Sequence, residues 1–507
     1  MRLGDLVAVS AAVAATRSRK EKTALIADLL SRAGPGERAL VAHYLSGRLR
    51  QRRTGIGWRG LQELPAPAEP PGTLTVAEVD AAFQALSLLS GAGSAAARAA
   101  AVADLFGRAT PDEQAWLRAI TVGEVRQGAL DAVVVEALAA AAAVPVAEVR
   151  RAAMLAGGAT YVVDEAFSGV EALRSIGLTV GRPVLPMLAS SAPDLDAALD
   201  RFGADDVAVD AKLDGIRIQV HRDGDDVVIA TRSLDPITHR LPEVVDAVLA
   251  LPAERLVLDG EAIALDEDGR PRPFQETASR TARGEGTAVT PYFFDVLHVD
   301  GRDLLDLPAA ERWAALEALV PERHRVPRWR GAAGDTEAAE AFTELVLADG
   351  HEGVVVKDAA ATYEAGRRGA AWVKVKPVHT LDLVVLAVEW GSGRRRGWLS
   401  NIHLGARDDT APGGFVMLGK TFKGMTDAML AWQTERFLEL ETGREGHVVH
   451  VRPEQVVEIA FDGVQRSTRY PGGLALRFAR VVRYRDDKTA DQADSLATLR
   501  DVAGISH

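Results

Sequence analysis

The sharpest local feature of the sequence is Lys212–Arg217, with the sequence KLDGIR, which lies between two predicted strands. These strands are the runs of β-branched residues Val207–Val209 and Ile216–His221. A lysine that leaves a strand into a glycine turn can direct its amine into a cleft. The same pattern also occurs in a β-hairpin with a surface lysine. Whether Lys212 is a functional residue is therefore judged from the other motifs of the chain.

Five further polar signatures follow along the chain, each set on a predicted strand. They are LDGE (Leu258–Glu261), YFFD (Tyr292–Asp295), EGVVVK (Glu352–Lys357), WVKVK (Trp372–Lys376), and LRFAR (Leu476–Arg480) continuing to RDDK (Arg485–Lys488). Because side chains alternate along a strand, Lys374 and Lys376 share one face. Glu261 and Glu352, at strand edges, can share a hard cation such as Mg²⁺, which prefers oxygen ligands. Together the signatures supply a nucleophile, cations for phosphate, carboxylates for a metal and an aromatic ring for a base.

The composition is that of a globular protein with several domains. The chain has 507 residues, which at roughly 150 per domain indicates two to four domains. Hydrophobic residues make up 47% and charged residues 26%, which excludes a disordered chain. Cysteine is absent, which excludes disulfides and thiolate metal clusters and fits a reducing cytoplasm.

No membrane-spanning helix is predicted, since no run of about 18 uncharged apolar residues occurs. The apolar stretch Leu6–Ala15 superficially resembles a signal peptide. Asp5 before it, and Arg17, Arg19 and Lys20 after it, favour an amphipathic first helix instead. We therefore expect a cytoplasmic protein with no membrane partner.

The net charge of −12 is unfavourable for a nucleic-acid binder, but the acid excess lies in one block. Residues 181–376 carry a net charge of −13, whereas the blocks on either side are close to neutral. Within the first block, five arginines fall in twelve residues with no acid between them: Arg48, Arg50, Arg52, Arg53 and Arg59. Such a cluster can neutralise phosphates, and it is equally typical of a solvated basic loop.

The pattern of elements predicts three domains. Residues 1–180 indicate an all-α domain, with capping boxes such as Thr110–Glu113. Residues 181–376 contain short β-branched runs separated by turn pairs such as Asp223-Gly224, the pattern of an α+β, largely antiparallel domain. Residues 377–507 are again strand-rich, and their length suits a small C-terminal β-barrel such as an OB-fold.

The ordered set of six signatures closely resembles the motifs of the covalent nucleotidyltransferase superfamily and, within it, of the ATP-dependent DNA ligases. The resemblance covers the chain from about residue 105 to about residue 490. Flanking segments strengthen it: PVLPMLA (Pro183–Ala189), DPITHRLPE (Asp235–Glu243), PFQ (Pro273–Gln275), and AITVGEVRQG (Ala119–Gly128), which is similar to the family's DNA-binding domain. The chain departs from the family at Val355, where many relatives carry methionine, and at Ala479, where proline is common. Both changes are apolar and remove no reactive group.

The resemblance implies an adenylation (nucleotidyltransferase) domain in an enzyme that seals nicks in duplex DNA, in replication, repair or recombination. Lys212 would attack the α-phosphorus of ATP, forming a lysyl-AMP and releasing pyrophosphate. A protonated lysine is no nucleophile, so nearby cations would have to favour the neutral amine. AMP would then pass to the 5′-phosphate of the nick, and the 3′-hydroxyl would expel it. The implied cofactors are ATP and Mg²⁺, for which Mn²⁺ can substitute.

The resemblance also implies a role for each site residue. Glu261 contacts the ribose or the metal, and Glu352 shares the metal. Phe294 stacks on adenine, and Val355 closes the opposite face. The other positions implied to contact ATP are Asp210 near the adenine, Arg217 and Arg232 at the ribose and phosphates, Arg368, Lys374 and Lys376 at the phosphates, and Arg477, Arg480 and Lys488 at the pyrophosphate.

The last three of these cations lie far along the chain from Lys212. They can reach the pyrophosphate only if the barrel folds over the nucleotide, and they must leave before DNA enters. This requirement predicts a domain swing with a hinge near Lys376-Pro377-Val378. The expected partner is nicked double-stranded DNA bound by a monomer, and no sliding-clamp tail is recognised.

Other readings of the same signatures remain. An mRNA capping enzyme using GTP, or an RNA ligase, shares the chemistry, but neither normally carries a long helical block ahead of the lysine. An NAD-dependent ligase is disfavoured because its usual four-cysteine zinc site cannot form without cysteine. A DNA-binding scaffold without catalysis is disfavoured because every catalytic side chain is present.

Overall fold

The computed structural model describes residues 1–51, 53–128, 131–203, 205–284, 286–364 and 368–502, without the side chains of residues 281–283 and 368–369. The chain forms two compact units. The first unit combines Met1–Ala192 with Asp196–Lys374, and the second combines Pro193–Leu195 with Val375–His507.

The first part of the first unit is helical, as predicted. Its helices are α1 (Leu3–Ala15), α2 (Arg19–Arg32), α3 (Arg38–Leu45), α4 (Val76–Leu88), α5 (Ser94–Gly107), α6 (Pro111–Thr121), α7 (Asp131–Ala142), α8 (Val146–Ala156), α9 (Val163–Ser168) and α10 (Val170–Arg174). The capping box predicted at Thr110–Glu113 starts α6: the Thr110 hydroxyl accepts the Glu113 N–H, and the Glu113 carboxylate accepts the Thr110 N–H. Two otherwise unpaired backbone donors are satisfied in this way.

The N-terminal apolar stretch is part of the core of this helical region. Leu6 and Val13 of α1 are fully buried, which confirms the predicted first helix. The Ser10 hydroxyl of the same helix is buried, donates to Gln127 at 2.5 Å and accepts the indole N–H of Trp116 at 3.1 Å. Among the described residues, no helix is both long enough and apolar enough to cross a membrane.

The arginine cluster that the sequence leaves without acidic neighbours is partly neutralised by acids from distant helices. Arg50 forms an ion pair with Asp80 of α4 at 2.7 Å, and Arg48 lies 3.6 Å from Asp131 of α7. Arg52 lies outside the described residues. Acids brought close by the fold, rather than by the local sequence, therefore reduce the charge this loop presents to solvent.

The rest of the first unit is built on strands. Its elements are β1 (Leu188–Ser191), α11 (Leu195–Leu199), β2 (Asp206–Lys212), β3 (Ile216–Asp223), β4 (Asp226–Thr231), α12 (Pro242–Leu249), β5 (Arg255–Ala264), α13 (Phe274–Arg283), β6 (Val289–Val299), β7 (Arg302–Asp303), α14 (Ala309–Leu319), β8 (Arg328–Ala332), α15 (Thr336–Ala348), β9 (Gly353–Asp358) and β10 (Arg368–Val375). They form two five-stranded sheets, ordered β1-β10-β9-β2-β8 and β4-β3-β5-β6-β7. The predicted antiparallel character is confirmed for most pairs, and β1 with β10 is parallel.

The stretch Lys212–Arg217 joins these two sheets. Lys212 ends β2 in the first sheet, and Ile216 begins β3 in the second. Gly215 lies between them, where a Cβ would overlap the carbonyl of Ala262 and the side chain of Ile263 on β5. Glycine is therefore needed for the turn to pass this close to β5, and the turn leaves Lys212 where the two sheets part.

The second unit is also strand-rich. Its elements are β11 (His379–Trp390), β12 (Leu399–Arg407), β13 (Phe415–Thr421), α16 (Asp427–Glu439), β14 (Glu441–Glu445), β15 (Val448–Val451), β16 (Val456–Phe461), β17 (Gly463–Arg466), β18 (Leu474–Arg477), β19 (Arg480–Tyr484) and α17 (Leu496–Val502). Seven strands form one sheet, and β17 pairs with β18 alone. The described part of this unit is therefore strand-rich, as the sequence predicts.

A buried ion pair holds α14 against the second sheet of the first unit. Arg312 and Asp295 are both fully buried, and the guanidinium donates to both carboxylate oxygens at 2.9 Å. Arg312 also donates to the carbonyls of Leu307 and Ala361. Since removing one partner of a buried pair leaves an uncompensated charge, the pair is costly to break.

We expect Arg312→Ala to lower the free energy of unfolding of the first unit by about 3–5 kcal/mol. Urea denaturation measures the change. The matched control is Arg330→Ala, because Arg330 pairs with Glu317 at the surface, where such pairs contribute about 0–1 kcal/mol. Equal losses in the two variants would contradict the importance of burial.

Candidate active site

Lys212 lies beside a carboxylate that the strand register places next to it. In the pairing of β2 with β9, Lys212 lies opposite Gly353, so Glu352 immediately precedes the partner strand. The Lys212 ammonium donates to the Glu352 carboxylate, and the Glu352 N–H donates to the Lys212 carbonyl at 3.0 Å. The lysine side chain is 22% exposed and that of Glu352 is 10% exposed. The amine is therefore accessible and already has a proton acceptor beside it.

Glu261 approaches the same lysine from the second sheet. It lies opposite Arg217 in the pairing of β3 with β5. Burial raises the pKa of Glu261 to about 7, and the neighbouring charges of Lys212 and Arg217 only partly oppose this rise. Glu352 thus contacts Lys212 directly, and Glu261 on the second sheet is influenced by the charge of the same lysine.

The two glutamates fit the oxygen-donor preference of Mg²⁺. Among the described residues, no group of three or more histidine or acidic side chains could hold a metal ion by itself. Mg²⁺ commonly binds through one or two carboxylates together with phosphate oxygens of a nucleotide. Glu261 and Glu352 can therefore serve as its protein ligands when a nucleotide supplies the rest of the coordination shell.

Arg217 is fixed by a ring of hydrogen bonds. Its guanidinium donates to both oxygens of buried Asp259, at 2.9 and 2.5 Å, and to the Met187 carbonyl at 2.6 Å. The Tyr363 hydroxyl donates to Asp259 at 2.6 Å and accepts the Met187 N–H at 3.2 Å. Burial alone would lower the pKa of Arg217, but the Asp259 carboxylate outweighs it and keeps the guanidinium charged.

Asp210 has both carboxylate oxygens occupied by buried cations. Arg328 of β8 donates to both oxygens, at 2.5 and 2.7 Å, and the ammonium of Lys357 lies 2.6 Å away. Burial would raise the pKa of Asp210, yet Arg328 and Lys357 together lower it. The carboxylate is thus charged and immobilised on β2, the strand that also carries Lys212.

Two aromatic rings lie next to the Lys357 ammonium of this ion-pair cluster. The ammonium of Lys357 lies 4.3 Å from the ring centroid of Phe294 and 4.2 Å from that of Trp372. Phe294 and Trp372 meet edge to face, with centroids 5.8 Å apart. Phe294 is partly buried and belongs to the same apolar cluster as Val355. The two residues predicted to enclose the adenine therefore lie in one part of the first unit.

The remaining predicted phosphate contacts in the first unit lie at strand ends. Arg232 directly follows β4 and lines a small pocket together with Val184, Pro186, Arg217, Gln219, Thr231, Leu234 and Asp259. Lys374 is half-buried near the end of β10. The side chain of Arg368 lies outside the described residues.

The predicted pyrophosphate contacts lie in the second unit. Arg480 pairs with Asp462 at 3.0 Å, and the ammonium of Lys376 lies 4.0 Å from the same carboxylate. Lys488 donates to Asp382 at 2.5 Å. Arg477 ends β18. Arg480 and Lys488, and likewise the predicted phosphate contact Lys376, are therefore held by carboxylates of their own unit.

Four residues that the sequence gives no role lie at the centre of this geometry. Asp259 and Lys357 fall inside the quoted signatures, so their polar character in buried strands is a signal that could have found them. Arg328 and Tyr363 lie outside all six signatures. Their partners are set by strand pairing and by contacts across more than a hundred residues, which no local pattern reveals.

Three family models match the chain in order. The DNA ligase N terminus matches residues 61–139, the ATP dependent DNA ligase domain matches residues 186–376, and the ATP dependent DNA ligase C terminal region matches residues 395–488. These three ranges contain all six signatures and residues 61–139 of the helical block that precedes them.

Curated relatives match from end to end. A probable DNA ligase of Nocardioides sp. is 71% identical over 507 residues, covering 99% of each chain. A probable DNA ligase of Beutenbergia cavernae is 63% identical over 518 residues, covering 100% of each. A solved structure described as Pmar-Lig_PreS3 aligns with a TM-score of 0.63 at 18% identity, covering 95% of this chain and 99% of that one, which supports the fold. With these relatives spanning its whole length and the lysine–carboxylate site in place, this chain belongs to the ATP-dependent DNA ligases.

Proposed function

We propose that this enzyme seals nicks in duplex DNA, between a 3′-hydroxyl and a 5′-phosphate, through an AMP carried on Lys212. The observation that carries the proposal is the contact of the Lys212 amine with the Glu352 carboxylate, with Glu261 of the second sheet within the influence of the Lys212 charge. A nucleophile flanked by two carboxylates suits phosphoryl chemistry, in which positioning and charge neutralisation provide most of the catalysis.

In the first step the Lys212 amine attacks the α-phosphorus of ATP. A P–N bond forms, the bond to the β-phosphate oxygen breaks, and pyrophosphate leaves. The Glu352 carboxylate is placed to take the proton that Lys212 must lose. Glu261 and Glu352 would hold Mg²⁺, which would neutralise phosphate charge.

The other residues of the first unit would bind and orient the nucleotide. Phe294 and Val355 would enclose the adenine, with Asp210 fixing the strand beneath it. Arg217 and Arg232 would contact the ribose and phosphates, since arginine offers a planar fork of donors. Arg368 and Lys374 are proposed as further phosphate contacts.

The later steps use the same site. The 5′-phosphate of the nick attacks the lysyl-AMP, AMP passes to it, and Lys212 is released. The 3′-hydroxyl then attacks the activated 5′-phosphate, a phosphodiester forms, and AMP leaves. We propose nicked duplex DNA as the substrate and a monomer as the active form.

We also propose a three-domain division into a helical DNA-binding domain (1–180), an adenylation domain (181–376) and an OB-fold (377–507). The pairing of β11 supports the OB-fold. Its first half pairs with β16, its second half with β15, and its other edge with β12. A long strand shared between successive partners is typical of small, strongly curved barrels.

We expect Lys212→Ala to abolish the AMP adduct and nick sealing, because no other amine occupies this position. Binding of nicked DNA should persist, since phosphate contacts dominate its affinity. Mass spectrometry after incubation with ATP and Mg²⁺, with GTP and NAD in parallel, detects the adduct. The control is Lys20→Ala, an exposed lysine of α2. ATP-dependent labelling of the Lys212→Ala variant would refute the assignment.

Removing either glutamate should lower activity strongly. We expect Glu261→Ala and Glu352→Ala each to slow self-adenylylation by roughly 100-fold or more, as the loss of an active-site charge contact does. Mn²⁺ should partly rescue both variants. Glu322→Ala, which alters an exposed glutamate, is the control. Full activity of the unaltered enzyme in excess chelator would contradict the metal role.

The cations of the second unit should matter most in the first step. We propose that Arg477, Arg480 and Lys488 orient the pyrophosphate, a task that ends once AMP is on Lys212. Arg477→Ala and Lys488→Ala should each slow self-adenylylation by roughly 30- to 150-fold. Sealing of a nick that already carries AMP on its 5′-phosphate should change far less. Arg452→Ala, at an exposed pair with Glu454, is the control, and equal losses on both substrates would contradict this division of labour.

A further inference from the structure

The hydrogen bonds around Arg217 form a closed circuit through the side chain of Tyr363. Arg217 donates to the Met187 carbonyl, and the Met187 N–H donates to the Tyr363 hydroxyl. That hydroxyl donates to Asp259, which accepts two hydrogen bonds from Arg217. Asp259 is fully buried and Tyr363 is 2% exposed, so solvent does not compete for these bonds.

The circuit leaves part of Arg217 available for a ligand. A guanidinium has five N–H donors in a fixed plane. Asp259 takes two of them and the Met187 carbonyl takes a third, so two N–H groups remain without an acceptor among the residues that the structure describes. Because the plane is rigid, fixing three donors also fixes the direction of the other two. Arg217 lies opposite Glu261 on β5.

The Tyr363 hydroxyl is a neutral group that joins both partners of Arg217, Asp259 and Met187. Burial, reinforced by the neighbouring Asp259 charge, raises the pKa of Tyr363 well above its usual value, so the hydroxyl keeps its proton. It can therefore donate to Asp259 and accept from Met187 at the same time. The tyrosine ring is held separately, edge to face against Trp372 with centroids 6.2 Å apart.

We propose that Tyr363 is a positioning residue for ATP: its hydroxyl holds Asp259 and Met187 in place, and these aim the free donors of Arg217 at the nucleotide. The inference rests on the proposed function, in which Arg217 contacts ATP. It adds a residue that lies outside all six signatures and touches no reacting atom.

The test is Tyr363→Phe, which removes the hydroxyl and keeps the ring. The ATP concentration that gives half-maximal self-adenylylation should rise roughly 10-fold, the scale of one lost hydrogen bond to a charged group. The maximal rate should fall much less. Tyr44→Phe is the matched control, because the Tyr44 hydroxyl is buried in the same unit and has no hydrogen-bond partner among the described residues.

A double-mutant cycle separates positioning from simple destabilisation. Arg217→Lys keeps the positive charge but lacks the planar set of guanidinium donors. It should therefore also raise the ATP concentration that gives half-maximal self-adenylylation. If Tyr363 acts through Arg217, adding Tyr363→Phe to Arg217→Lys should change the ATP dependence by less than about twofold. Should Arg217→Lys fail to fold by circular dichroism, Arg217→Gln takes its place in the cycle.

Two results would overturn the inference: an unchanged ATP dependence in Tyr363→Phe, or losses that multiply in the double variant. Both leave the proposed function intact, because the unaltered enzyme still forms its AMP adduct on Lys212. Absence of that adduct would overturn the proposed function itself, and the inference with it.

Discussion

The register between β2 and β9 is the constraint on which the site depends. It sets Lys212 opposite Gly353 and thereby places Glu352 against the amine. A slip of one residue would turn Lys212 to the other face of the sheet and separate the pair. The register is held in turn by the buried contacts of Asp210 with Arg328 on β8 and Lys357 on β9, one strand on each side of β2.

These buried charges are arranged so that each is matched by a neighbour. Asp210, Asp259 and Asp295 are almost completely buried, and each is paired with an arginine. Such pairs add little net stability compared with apolar packing, but a charge without its partner would be strongly destabilising. Their effect is to specify one arrangement of strands, which suits a site that must hold a nucleotide in a single orientation.

The sequence predicts much of this architecture because its signals are local. The helical block and most of the strands follow from periodicity and turn signals, and the grouping of Lys212, Glu261 and Glu352 in one site follows from the resemblance of the six signatures to the family's motifs. Arg328 and Tyr363 escape prediction because each acts on a residue more than a hundred positions away, through contacts that only the folded chain defines. The partial neutralisation of the Arg48–Arg59 loop is missed for the same reason: its acids come from α4 and α7.

The carboxylates that hold the cations of the second unit have a consequence for how this unit responds to ionic strength. Affinity for a polyanion falls with salt because lysines and arginines give up solution anions when they bind phosphate. Arg480 and Lys488 carry Asp462 and Asp382 as internal counterions, so they have fewer solution anions to release. Phosphate binding by these two cations, as proposed above, would exchange one anion for another and would therefore be less sensitive to salt than the arginine content of the unit would suggest.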